Sequence, residues 1–314
     1  MSYTGPGFEP PQPRRSRRGP LTVALAALVP GALLGWAVYA AVGGSGDDEA
    51  AGTPTASASA SPRTSSAAPA ASAGDGKPTG SSTAEPSAAA GTLEGKVVVI
   101  DPGHNPTNFE HTAEINRQVD IGTNRKECDT TGTSTNDGYA EAEFTLDVAH
   151  RMRALLEKQG ATVKLTQDED RPFGPCVDER ARIGNKAGAD AVVSIHADGS
   201  GTGNRGFHVI LPGAVDAGGA DTRAIVEPSA DLGARIAGDF VRVTGSAPSN
   251  YIGGGTGLVT RKDLGGLNLS TVPKVFIECG NMRDSKDAAL LTSGAWRQKA
   301  AQGISDGIVS FLRG

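Results

Sequence analysis

Apolar residues in this chain fall in short continuous bursts separated by stripes of helical spacing, and the first burst is the sharpest. Val97, Val98, Val99 and Ile100 run together, as in a strand buried on both faces. Asp101-Pro102-Gly103 stops the run, because proline cannot extend a hydrogen-bond ladder and glycine permits a sharp turn. His104 follows at once. Asn105 to Tyr139 is polar and rich in Asn, Thr and Gly, which predicts a long loop, functional or disordered. From Glu141 to Gln159 the period becomes helical, with Thr145, Val148, Ala149, Met152, Leu155 and Leu156 on one stripe and Gly160 as the stop. Strands are then predicted at Thr162 to Thr166, Ala191 to His196, Phe207 to Leu211 and Lys274 to Glu278. Helices are predicted at Val177 to Lys186, Ser229 to Val243, Ser285 to Leu291 and Ala295 to Leu312. This alternation predicts an α/β fold: a single domain with a mostly parallel central sheet covered by helices on both faces.

The pattern confines that domain to residues 93–314 of the 314. Residues 1–20 form a basic tail containing Arg14, Arg15, Arg17 and Arg18, and residues 21–43 are uncharged and apolar. At about 1.5 Å per helical residue the apolar segment can cross a bilayer. The arginines would keep the N-terminus in the cytoplasm and export the rest. The expectation is a single-pass membrane anchor with the catalytic domain outside the cell. The competing reading is a signal peptide cut after Val38-Tyr39-Ala40, which would give a secreted protein. Residues 44–92, dominated by Ala, Ser, Thr, Gly and Pro without an aromatic, predict a disordered tether with an r.m.s. span of roughly 40 Å.

Charge narrows the partners. A net charge of -5 with no basic patch outside the tail argues against nucleic acid, and the domain is expected to be a monomer. Its three cysteines, Cys128, Cys176 and Cys279, lie on the exported side, where disulfides persist. A bridge between Cys128 and Cys176 would fasten the long loop and contribute about 4 kcal/mol by loop-closure entropy, leaving Cys279 free.

Candidate chemistry collects where the strands end. His104 follows the first strand, His196 ends another and Glu278 closes a third, so three proton- or metal-competent groups share one rim. The long helix offers Glu141 and Glu143, about 200° apart around the axis. The apolar stripe extends back to Glu141, whereas Glu143 falls with Asp147, His150 and Glu157 on the solvated face. A carboxylate at the start of a buried face needs a partner, and a dication supplies one. His104, Glu141 and His196 then form a His2Glu set, which suits zinc and leaves a position for water. Glu278 becomes the general base in metal-assisted amide hydrolysis. His111, His150 and His208 read as surface or packing residues, and Tyr251 to Gly255 and Arg261-Lys262-Asp263 as loops that could contact glycan or peptide, with solvation the favoured reading.

These residues resemble the zinc-dependent N-acetylmuramoyl-L-alanine amidases of the amidase 3 family. The likeness rests on Ile100-Asp-Pro-Gly-His104, Glu141 with Leu146, Val193-Ser-Ile-His196-Ala, and Val272-Pro273 through Glu278-Cys-Gly280. It implies zinc on His104, Glu141 and His196, catalysis by Glu278, and cleavage of the amide between N-acetylmuramic acid and L-alanine in peptidoglycan. Arg180 matches a family position with an implied supporting role. The cysteine pair and Thr131 to Asn136 are similar to exported actinobacterial members. Cys279, where an aliphatic residue is common, is a departure; strand alternation points it away from Glu278 into the packing. The competing readings are a zinc peptidase acting on the stem peptide and a wall-binding module without turnover.

Overall fold

The computed structural model describes residues 93–314. The expected tail, anchor and tether at 1–20, 21–43 and 44–92 lie outside the described residues. No helix among the described residues is long and apolar enough to cross a membrane.

In chain order the elements are β1 (Val97–Pro102), α1 (Thr112–Ile115), β2 (Gln118–Asp120), β3 (Arg125–Glu127), α2 (Glu141–Lys158), β4 (Thr162–Leu165), α3 (Val177–Ala187), β5 (Ala191–Asp198), β6 (His208–Pro212), β7 (Asp216–Ala217), β8 (Ala220–Asp221), α4 (Val226–Thr244), β9 (Leu258–Arg261), α5 (Gly265–Asn268), β10 (Lys274–Asn281), α6 (Ser285–Leu291) and α7 (Gly294–Arg313). Six strands form the main sheet in the order β4-β1-β5-β10-β6-β9. Every pairing is parallel except β10 with β6. The mostly parallel α/β sheet expected from the alternation is therefore present.

Alternation along the strands separates two layers. Val98, Ile100, Val193, Ile195, Val275 and Ile277 pack into the main core beneath α2, α4 and α7. Val99 and Val192 turn the other way, against Ile183 and Ala187 of α3. The second layer is thinner and continues with α5, which packs on α3. It carries the polar positions of the same strands, among them Asp101, Ser194 and Lys274, all buried. The chemistry gathers on this face, at the end where β1, β5 and β10 run out.

Two expectations need correction. The stretch from Asn105 to Tyr139 is not an unbroken loop: it contains α1 and the β2–β3 hairpin. Each piece has too few residues to register a period, and the hairpin is held by a small satellite core of Val119, Ile121, Cys128 and Cys176. Arg261-Lys262-Asp263 is likewise not all loop, because Arg261 is the last residue of β9, paired with Pro212 of β6. Leu258–Arg261 is a short edge strand, and such strands need little apolar content to pair. The disulfide between Cys128 and Cys176 is formed and Cys279 is free and buried, as expected.

Candidate metal centre

The first donor sits on a constrained corner. Gly103 continues the strand contact by donating its N–H to the Ile195 carbonyl at 2.9 Å. A Cβ at Gly103 would overlap the His196 ring, so only glycine lets the two strand ends close on one another. His104 then adopts φ 65°, a left-handed conformation uncommon for a non-glycine residue. Its carbonyl is held by Arg180 Nη2 at 2.9 Å and Gln167 Nε2 at 3.3 Å, while the Gly103 carbonyl accepts from Thr145 Oγ1 at 2.8 Å. Fixed neighbours of this kind keep a costly backbone conformation in place at a functional corner.

Glu141 is the first residue of α2 and is buried, whereas Glu143 is exposed. The carboxylate that the helix-face argument placed on the buried side is the buried one. Glu141 Oε2 accepts from the Thr133 N–H at 2.9 Å, and Oε1 accepts from the Ala197 N–H at 3.2 Å. Oε1 also faces both imidazoles, 2.9 Å from His196 Nδ1 and 3.3 Å from His104 Nε2. The second nitrogen of each ring is engaged separately. His104 Nδ1 lies 3.1 Å from the Thr130 carbonyl and 3.3 Å from Asp129 Oδ1, and His196 Nε2 lies 3.3 Å from Ser194 Oγ. The His196 ring stacks on Phe276 at 5.2 Å. One ligand atom from each of His104, Glu141 and His196 falls within 4.8 Å of the others. Two imidazoles and a carboxylate, each oriented through its far side, form a donor set suited to zinc.

Electrostatics tie the three together. Burial would raise the Glu141 carboxyl, but His104 and His196 outweigh it and hold the group far below the usual carboxylate range. Burial would likewise depress His104, yet Glu141 and Asp129 push it well above the ordinary imidazole value.

Glu278 stands beside this set without belonging to it. It pairs in register with His196 across β5 and β10 and lines the same cleft, of about 330 Å³. Among the described residues, its buried Oε2 has no hydrogen-bond partner. Burial, reinforced by Glu141 and Asp198, raises its carboxyl well above the ordinary value. A carboxyl so placed is suited to exchanging protons near neutral pH. Cys279, next in sequence, points into the main core, and its thiol is driven upward by burial.

Beneath the centre lies a buried ionic layer that the strand pattern did not reveal. Arg180 joins Asp101 at 2.8 Å and Asp129 at 2.9 Å, and also donates to the carbonyls of Pro102 and Pro175 at 2.6 and 2.8 Å. Lys274 Nζ meets the other oxygen of Asp101 at 2.9 Å. Two cations thus offset two anions away from water, with Thr166 and Ser194 donating the remaining hydrogen bonds to Asp101. The available signal was a charged residue at each end of an apolar strand: Asp101 after Ile100, and Lys274 before Val275.

The model of the N-acetylmuramoyl-L-alanine amidase family matches residues 98–310. The chain belongs to that family. It is 42% identical over 231 residues to the N-acetylmuramoyl-L-alanine amidase Rv3717 of Mycobacterium tuberculosis, covering 72% of this chain and 90% of that protein. Among solved structures, the amidase Ami1 of Mycobacterium smegmatis superposes with a TM-score of 0.65 at 40% identity, over 70% of this chain and 98% of its own. Ami1 of Mycobacterium abscessus gives 0.64 at 40% identity, over 70% and 100%. The chain is accordingly an enzyme of peptidoglycan amide hydrolysis.

Proposed function

We propose that this amidase works with zinc held by His104, Glu141 and His196, that Glu278 is its general base, and that it cuts the bond between N-acetylmuramic acid and L-alanine. The observation carrying this reading is the meeting of three donor atoms within 4.8 Å beside the Glu278 carboxyl on the neighbouring strand, whose Oε2 has no hydrogen-bond partner among the described residues. Zinc held there would supply Lewis acidity toward the substrate carbonyl and a water molecule. Glu278 takes a proton from that water as oxygen attacks the carbonyl carbon, then delivers it to the alanine nitrogen as the carbon–nitrogen bond breaks. Its raised affinity for protons suits both transfers. Asp129, Thr130 and Ser194 orient the imidazoles, and the Arg180 layer supports the corner that presents His104.

The apolar segment at 21–43 and its flanking arginines support an exported enzyme tethered at the membrane, with the domain of 93–314 within reach of the wall. Digestion of purified peptidoglycan, with metal analysis of the same preparation, tests the reading. The expected products are intact stem peptides with a new L-alanine amino terminus, from protein holding about one zinc. Cuts within the stem peptide would replace this with the peptidase reading.

A further inference from the structure

The cleft beside the metal centre has an acidic wall formed by Glu141, Asp198 and Glu278, and among the described residues its lining contains a single Lys or Arg, Arg261. The sheet explains the placement. On the face carrying Glu278, Phe276 pairs with Ile210 and Ile210 with Val259, so an apolar rung runs from β10 to the edge strand β9. Arg261, two residues beyond Val259, lies on the same face in the next rung, opposite Pro212.

Its guanidinium is held in a fixed orientation. Arg261 Nε and Nη2 grip Asp263 Oδ1 and Oδ2 at 2.9 and 2.7 Å, and no hydrogen bond reaches Nη1 among the described residues. Asp263 is shared, since Lys126 Nζ stands 3.7 Å from Oδ2. Shared between two cations, Asp263 offsets Arg261 only in part, and Arg261 also feels Glu278 and Asp198 across the cleft, so it is the cationic group of an otherwise acidic lining. A muramoyl peptide is asymmetric in the complementary way: its sugar is neutral once the lactyl carboxyl is in the amide, and its stem peptide carries free carboxylates.

We propose that Arg261 is a specificity residue that receives a carboxylate of the stem peptide, so that the leaving peptide lies across Ile210 and Val259 toward β9 and the sugar lies on the opposite side of the metal centre. A fixed guanidinium with a free N–H edge is the group that recognises a carboxylate by direction as well as by charge. The assignment rests on the cleft being the amide-cutting site.

The test uses two substrates: a muramoyl pentapeptide with free carboxylates, and the same molecule with every carboxylate converted to a carboxamide. Wild-type enzyme should prefer the free acid by about tenfold, the equivalent of one charge-assisted hydrogen bond, expressed mainly in KM. R261M should bring the ratio of the two substrates close to one, and R261K should fall between. Absence of preference in the wild type, retention of the preference by R261M, or an equal loss of kcat on both substrates would each overturn the proposal. Glu278→Ala run on the same pair tests the site separately: turnover surviving in that variant would sink the assignment of the cleft, whatever Arg261 does.

Discussion

His196 Nδ1 lies 2.9 Å from Glu141 Oε1, a contact that binds the end of β5 to the first residue of α2. Sheet and helix meet there through two side chains 55 residues apart in sequence. With no period in common, their meeting depends on the fold, and the candidate metal centre is built around it.

Removal of one donor should separate metal binding from proton transfer. His104→Ala, Glu141→Ala and His196→Ala are each expected to lower bound zinc from about one equivalent to near zero. Glu278→Gln should retain zinc and lose about 10²–10⁴-fold in kcat. Atomic emission on dialysed protein, paired with amidase rates, gives the answer; unchanged zinc in His104→Ala would refute the ligand set.

Gly103→Ala tests the close approach of β1 to His196. The added methyl overlaps the imidazole, and the strain should cost about 1–3 kcal/mol. Thermal unfolding should fall by several degrees and zinc affinity should drop with it. A variant as stable and as metal-loaded as wild type would show that the corner can relax.

The ionic layer predicts both a stability loss and a pH dependence. Arg180→Met strands Asp101 and Asp129 without their shared cation, at a cost of about 3–5 kcal/mol in urea unfolding. Burial opposes ionisation of Asp129, but Arg180 and His104 win and lower its pKa to about 2. A carboxyl depressed in the folded state stabilises it above the unfolded value near 4, and that contribution disappears as pH falls through about 2. Acid titration followed by tryptophan fluorescence should therefore place the unfolding midpoint of Arg180→Met at higher pH than wild type. A coincident midpoint would remove Arg180 from the acid response.

The Cys128–Cys176 bridge, spanning 48 positions, should contribute about 4 kcal/mol by loop closure. Paired Cys128→Ser and Cys176→Ser substitutions should lower stability by up to that amount. They should also weaken zinc affinity, because Asp129 and Thr130, which orient His104, follow Cys128 directly. Native protein should meanwhile protect Cys279 from a thiol reagent until unfolded, since the thiol is buried in the main core and its proton is held tightly.

The sequence by itself determined the order of strands β1, β4, β5, β6 and β10 and of helices α2, α3, α4, α6 and α7, because continuous apolar runs and 3.6-residue stripes are properties of neighbours along the chain. The strand that stops before Gly103, the helix that begins at Glu141 and the strand carrying Glu278 were all readable in this way, though β1 runs through Pro102 and β10 continues to Asn281. So was the choice of Glu141 over Glu143, since one residue extends the apolar face and the other leaves it. The tertiary structure alone decided that the short hairpin at 118–127 forms, because three-residue strands have no period and depend on Val119, Ile121 and the disulfide for support. It also decided the pairing of Arg180 and Lys274 with Asp101, and the arrival of Arg261 in the cleft. A charge in a sequence has no address: its partners lie 79 and 173 residues away, and only the register of the sheet determines which ones it meets.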